Sequence, residues 1–589
     1  MNPVERYKRE KHPLDLVEDV ERYAEEGLSF EELEAREGEG AWERFKWAGM
    51  YAHGTHDDYF MLRTKVPGGH LTPEQATVIG EVARDFATAP DEHGGAAQNP
   101  VWGDAYLDIT TRQDVQMHWI ELEDVPEIWE RYDEVGLTTI QGCGDSARNV
   151  LGCPAAGLSG HEAFDAQPVV DAVSDFFTGN REYANLPRKF KLTITGCTED
   201  CAQSQINDVG LVPAEKEIGG ERQYGFHARV GGGLSDGPRM ASELDVFVRP
   251  EAAVEFTRAI AQTFKELGER TNRGLCRMRY LVEQMGPDRF EEAVRDRCSV
   301  ELPSRGTGLT EGYRGDHVGV HDQREEGLRY VGFNVVAGRM GGEEFVQAAN
   351  AARRYGTEGT TVRLATDQNF LLTHVPEENV EDLLAEPFAT EYSPDPGPFT
   401  RGAVGCTGSE FCNYGIIETK RRIRRWAEQL DEAIDLPEEI DVVRVHLSGC
   451  SASCAQPQIA DVGFRGETVK VLAGGSDAPQ SPEAGSGEDG VASETQRAAG
   501  GAGDDIVEGV DLGLGGSLGL DNEFLDWVET AVPADAVVPA LEALFGVYAD
   551  ERRGGERFYE WCRRVENDRL RTIARGSDAN VSGGVAHGD

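Results

Sequence analysis

Apolar and polar residues alternate with a period of two in KLTITG (from Lys191) and VVRVHLSG (from Val442), which predicts short, half-buried strands. A helical period runs through EAAVEFTRAIAQTFKELGER (from Glu251) and TKRRIRRWAEQLDEAI (from Thr419), which predicts amphipathic helices. Both kinds of element recur along 589 residues, so the pattern is α+β and the length suits three or four domains. No apolar run reaches the ~18 residues a transmembrane helix needs. The charged opening MNPVERYKREKHPLDLVEDV has no apolar leader core, so a cytoplasmic protein is expected. One stretch breaks the pattern. Residues 474–505 are rich in Gly, Ser, Ala, Asp and Glu with almost no large apolar side chains, and a disordered surface insertion is expected there.

The pattern also repeats. TGCTEDCAQSQINDVGL (from Thr195) matches SGCSASCAQPQIADVGF (from Ser448), and the paired cysteines lie 253 positions apart. Weaker echoes keep the same order. TTRQDVQMHWIELEDVPE (from Thr110) is answered by LATDQNFLLTHVPEENVE (from Leu364), and FMLRTKVPGG (from Phe60) by GFNVVAGRMGG (from Gly332). So long a period is far beyond that of solenoids and indicates duplication of a whole domain set.

Charge and cysteines change the picture further. Asp and Glu number 106 against 58 Lys and Arg, for a formal net charge of −48 spread along the chain. Such a surface repels itself unless salt screens it, so a salt-rich cytoplasm is expected and nucleic-acid binding is disfavoured. Eight of eleven cysteines fall into close groups: Cys143/Cys153, Cys197/Cys201, Cys406/Cys412 and Cys450/Cys454. In a reducing compartment such grouping points to metal rather than disulfides. Cys406-x5-Cys412 with Cys450-x3-Cys454 suits Zn²⁺ or an iron–sulfur cluster, with buried free thiols as the plain alternative. The x5 gap is wide for a zinc knuckle and favours iron–sulfur.

The stretch GCTGSEFCNYGIIETK (Gly405 to Lys420) with HLSGCSASCAQPQIADVGF resembles the cluster signature of assimilatory sulfite reductases and ferredoxin–nitrite reductases. FMLRTKVPGG, TTRQ, GDSARNVLGCPAAG and NLPRKFK extend the resemblance over nearly the whole chain. It implies a three-domain α+β fold with pseudo-twofold halves. The implied domains are a ferredoxin-like region from 1–160 with 320–395, a first siroheme-binding domain at 161–319, and a second at 396–589 carrying the cluster. The implied cofactors are siroheme and a [4Fe–4S] cluster on Cys406, Cys412, Cys450 and Cys454, with Cys454 also reaching the siroheme iron. Arg63, Arg148, Lys189 and Lys191 would face the substrate, while Arg112 and Arg188 would hold siroheme carboxylates. Lys189 and Lys191 flank Phe190 in a strand-like run, so both would point to one face.

The resemblance leaves two substrates. Lys191 completes the Lys-x-Lys typical of sulfite reductases, where plant-type nitrite reductases tend to carry Lys-x-Asn, so six-electron reduction of sulfite to sulfide is expected. EFCNYGIIETK looks more like nitrite reductases, making nitrite to ammonia the alternative, and a non-enzymatic Fe–S or Zn scaffold stands as a rival from another class. No dinucleotide-binding fingerprint follows a strand, so electrons should come from ferredoxin, docking through salt screening or at a local basic patch such as KRRIRR (Lys420 to Arg425). Cys143 and Cys153 precede Cys197 and Cys201 as Cys406 and Cys412 precede the second pair, so a second metal site on those four is a further candidate. WAGMYAHG and QGCGDSARN also resemble segments that carry a Tyr–Cys cross-link in one sulfite-reducing branch, which would join Tyr51 to Cys143.

Overall fold

The computed structural model describes residues 2–38, 40–95, 99, 101–103, 105–472 and 504–576. Within these, the strands assemble into four five-stranded sheets. The first contains β1 (Met50–Ala52), β2 (Phe60–Thr64), β5 (Val115–Ile120), β4 (Tyr106–Ile109) and, at its edge, β13 (Arg339–Gly341) from much later in the chain. The second contains β11 (Gly319–Asp322), β12 (Leu328–Phe333), β15 (Phe370–Pro376), β14 (Val362–Leu364) and, at its edge, β3 (His70–Leu71) from the first half. The two halves therefore exchange a strand. Arg339 pairs with Asp108, and His70 with Arg363.

One hydrophobic core serves both exchanged sheets, running from Leu62, Ile79 and Met117 to Phe333, Phe345 and Phe370. Helices Pro73–Phe86 and Gly342–Tyr355 cross within it. Thr72 and Gln75 form a capping box at the start of the first, with Pro73 at its first turn. The helices meet at two glycines. A Cβ on Gly80 would lie 2.7 Å from the Gly342 carbonyl oxygen, and one on Gly342 would lie 2.9 Å from that of Gly80.

The other two sheets each have a core of their own. One holds β6 (Leu192–Ile194), β7 (Val209–Ile218), β8 (Glu221–Val230), β9 (Ser242–Val248) and β10 (Thr307–Gly308). The other holds β16 (Ala403–Gly405), β17 (Val445–Ser448), β18 (Val462–Leu472), β19 (Asp504–Leu514) and β20 (Asp526–Pro533). The strands predicted in KLTITG and VVRVHLSG are β6 and β17, and the two predicted helices are Ala253–Leu267 and Lys420–Ala433. Of the expected insertion, residues 474–503 lie outside the described residues. Its last two residues do not belong to it: Asp504 and Asp505 pair with Leu472 and Val471 and open β19.

Glutamines fix the register of the repeat. Gln113 and Gln368 both adopt left-handed backbone, with φ of 55° and 71°. The Gln113 side chain donates to the Gly68 and Leu364 carbonyls and accepts from Gly152 N–H at 3.0 Å. Gln368 donates to Ile109 and accepts from Gly405 N–H at 3.0 Å. Gly152 therefore stands where Gly405 stands, and Cys153 is the counterpart of Cys406. Gln203 and Gln456, with φ of 58° and 59°, meet between the halves, where Gln456 Nε2 donates to Gln203 Oε1 at 2.7 Å.

Candidate active site

The cationic recess is built on an added edge strand. Residues 147–151 run parallel to 190–193, with Arg148 N–H donating to the Phe190 carbonyl at 2.9 Å and Leu151 N–H to that of Leu192 at 3.1 Å. Phe190 is fully buried in the core behind, which leaves Lys189 and Lys191 on the opposite face beside Arg148. Arg63, on β2, and Arg148 both donate to the Gly142 carbonyl, at 3.4 and 3.2 Å, which draws the two guanidinium groups together. Arg112, in the turn between β4 and β5, is held by the Asn149 carbonyl at 2.6 Å and Asn207 Oδ1 at 2.9 Å. Arg188 turns partly away: it ion-pairs at 3.3 Å with buried Asp145, which Arg273 and Lys8 also engage.

Crowding of like charge in a place shielded from water marks these groups. Burial, then Arg277, Arg188 and Arg148, push the Lys189 ammonium down to about 7. Burial, then Arg112, Lys189 and Arg277, hold Lys191 well below the ordinary lysine range. Both lysines keep some accessible surface, so the shielding is that of a walled recess rather than a closed core. Burial lowers Arg112 to about 10. Burial also works against Arg63, but Cys143 and Asp114 outweigh it and hold the guanidinium above its usual range. Two participants escaped the sequence reading. Arg277 contacts both oxygens of Asp208 at 3.1 Å, and Asp208 in turn accepts from Lys191 N–H at 2.9 Å. Asp114 lies 4.0 Å from Arg63 Nε. Asp114 directly follows TTRQ but is a carboxylate where cations are sought, and Arg277 sits at a helix start outside every repeat or signature motif.

The four second-half cysteines adjoin this recess. Cys406 follows β16, and its sulfur accepts Gly449 N–H at 3.2 Å; Cys450 and Cys454 follow β17. Cys412 is tied by its N–H to the Gly408 carbonyl at 3.1 Å, where Gly408 takes a left-handed φ of 68°. Between Cys406 and Cys412, Glu410 accepts from fully buried Arg339 at 2.8 Å, and Arg339 also grips Asp108 at 2.7 Å. The Thr111 hydroxyl donates to the Cys454 carbonyl at 3.0 Å, which ties the turn carrying Arg112 to the cysteine loop. Cys454 is the most exposed of the four, and its sulfur acts electrostatically on both Arg63 and Lys189.

Chemically, the recess is suited to anions. Arg63 Nε, Arg112 Nε and Arg277 Nε are buried without a hydrogen-bond partner in the protein. Asp114 and Asp208 are the carboxylates set among these cations. Buried donors of this kind are costly unless an acceptor meets them, and a polycarboxylate macrocycle with an oxyanion supplies such acceptors. The residues present therefore fit siroheme.

Two expectations need correction. KRRIRR is not a free basic patch. Lys420 is buried, donating to the Ala337 carbonyl at 2.6 Å, while Arg422 pairs with Glu508 and Arg424 with Glu391 and Glu428. The helix is amphipathic and engages these three charges locally, while Arg421 and Arg425 stay exposed. Nor do the four first-half cysteines form one group. Cys143 is buried near Tyr51, Arg63 and Arg148, away from the other three, because the repeat register aligns Cys153 rather than Cys143 with Cys406.

Fold and site together define a nitrite and sulfite reductase, and the chain belongs to that family. Its cofactors are siroheme and a [4Fe–4S] cluster, and it is an oxidoreductase. The family's "Nitrite and sulphite reductase 4Fe-4S domain" matches residues 143–302 and 397–579, and its "Nitrite/Sulfite reductase ferredoxin-like half domain" matches 51–90, 97–135 and 321–388. The assimilatory ferredoxin-dependent nitrite reductase of Haloferax mediterranei is 36% identical, over 95% of this chain and 90% of that one. The ferredoxin sulfite reductase of Mycobacterium tuberculosis is 31% identical, over 97% and 96%. The structure of the NirA protein of that organism superposes with a TM-score of 0.81 at 29% identity, covering 97% of both chains.

Proposed function

We propose that the chain reduces sulfite to sulfide with electrons from ferredoxin. Siroheme and the cluster would supply the electrons and the iron at which the anion reacts, with Cys406, Cys412, Cys450 and Cys454 as the cluster ligands. Arg63 and Arg148 orient the anion through charge-assisted hydrogen bonds. Lys189, poised near neutrality, holds a proton at Nζ and can pass it to a departing oxygen. Lys191 carries the choice of substrate. Burial, then Arg112, Lys189 and Arg277, hold its ammonium well below the ordinary lysine range, so an anion beside it is favoured and a doubly charged one more than a singly charged one. The pairing of Lys189 with Lys191 on one face of the recess is the observation on which the sulfite reading rests.

Nitrite is the second reading, favoured by the higher identity to a chain named as a nitrite reductase. Steady-state kinetics separate the two. With one artificial donor at fixed high salt, kcat/KM for sulfite should exceed that for nitrite, and Lys191→Asn should shift the ratio toward nitrite by about ten- to a hundredfold, the worth of one charge-assisted hydrogen bond. Equal losses for both anions would remove Lys191 as the determinant and the sulfite reading with it.

A further inference from the structure

The first half carries three cysteines in the same register as the second. Cys153, Cys197 and Cys201 stand 253 positions before Cys406, Cys450 and Cys454. The counterpart of Cys412 is Ser159, so the fourth ligand of the copy is lost. Another residue has moved in. His317, just before β11, places Nε2 3.3 Å from Cys201 Sγ. We infer that Cys153, Cys197, Cys201 and His317 form a structural zinc site, distinct from the iron–sulfur cluster.

The geometry selects a single ion. Zinc with Zn–S bonds of about 2.3 Å in a tetrahedron sets its sulfurs about 3.8 Å apart. Cys197 Sγ and Cys201 Sγ are 3.7 Å apart, and the three sulfurs all fall within 4.8 Å of one another. His317 Nε2 reaches Cys201 Sγ but is not within 4.8 Å of all three sulfurs, so the imidazole closes the tetrahedron by swinging in when the ion binds. Among the described residues no other three cysteine, histidine or carboxylate ligand atoms converge so closely, including those of the second-half cysteines. Four irons hold their thiolates farther apart than one ion does, so the wide set suits the cluster and the tight one does not.

The surroundings agree. All four residues are buried, inside an apolar cluster with Ala155, Ala156, Leu158, Ala365 and Leu371. His317 Nδ1 lies 3.3 Å from the Tyr330 hydroxyl, a partner that can take its N–H and leave Nε2 free to ligate. Glu199 N–H donates to Cys197 Sγ at 3.4 Å. Three thiolates and a neutral imidazole leave zinc one negative charge in excess, and Arg363, which donates to the Pro154 and Ala156 carbonyls at 3.0 and 2.6 Å, is placed to balance it. The ion would bind the loop of Cys153 and the turn of Cys197–Cys201 to the start of β11 in the neighbouring sheet.

The test uses the intact holoenzyme purified without a histidine tag. Elemental analysis should give about one zinc and about five irons per chain. Zinc K-edge absorption should show about three sulfurs at about 2.3 Å and one nitrogen at about 2.0–2.1 Å. Cys153→Ser and His317→Ala should lose most of the zinc while keeping siroheme absorption and iron content. Three results overturn the inference: wild type that neither contains zinc nor takes it up on dialysis against zinc; about nine irons per chain, which means a second cluster; or a Cys197–Cys201 disulfide by mass spectrometry. Should both variants fail to fold, the wild-type absorption edge decides alone.

Discussion

At the scale of single residues, the recess is governed by how many cations one anion site can hold. Asp114 illustrates the balance. Burial pushes its carboxyl up to about 6, against the pull of Arg63, Arg112, Lys65 and Arg148. Unfolded, it titrates near 3.9, so the fold favours the protonated form. That stability is complete below about pH 4 and is lost as pH rises through about 6. Asn mimics the protonated carboxyl. Asp114→Asn should therefore gain stability relative to wild type between about pH 4 and pH 6, by at most about 1.4 kcal/mol per pH unit. Melting temperatures of both proteins across that range, at one salt concentration, check it; a constant difference would mean that Asp114 does not titrate there. Arg63, Arg112, Arg148, Lys189 and Lys191 were legible in the sequence because each sits in a segment whose neighbours are themselves informative. Arg277 was not, since only the folded chain brings a distant helix start to the same recess; Asp114 stood beside TTRQ but is a carboxylate where cations were sought.

At the scale of elements, the repeat was legible wherever two strings could be laid side by side, and opaque where a single hydrogen bond sets the register. The nine-residue gap between Cys143 and Cys153 invites pairing with Cys406 and Cys412; the matching grips of Gln113 on Gly152 and Gln368 on Gly405 show otherwise. Glycines inside helices give a second contrast. Gly80 sits where two helices touch, whereas Gly546, in the helix Val537–Glu551, has nothing within 4 Å of where a Cβ would go. Gly80→Ala should destabilise by about 1–3 kcal/mol through overpacking. Gly546→Ala should be neutral or stabilise by up to about 1 kcal/mol, since alanine loses less backbone freedom. Denaturant titration of both variants reads the two signs, and a common sign would contradict the crossing described.

At the scale of the whole molecule, a net charge of −48 sets the working conditions. Raising salt from about 0.1 M to about 1 M shortens the screening length from about 10 Å to about 3 Å. Self-repulsion then fades, and the melting temperature should climb steadily over that range in KCl. A flat or falling curve would mean that the acidic surface is not a burden the salt relieves. The basic helix start that invited an acidic donor keeps only Arg421 and Arg425 exposed, so a ferredoxin would rely chiefly on salt screening.

The exchange of β3 and β13 between the halves carries a historical consequence. Two equivalent units that trade a strand are what domain swapping leaves when a pair of identical subunits becomes one chain. Read as lineage, the protein descends from a symmetric dimer whose subunits each owned the same cysteine address. Fusion freed one copy from its duty. The first half keeps three of the four cysteine positions, with Ser159 where the second half has Cys412, as a copy relieved of the cluster can.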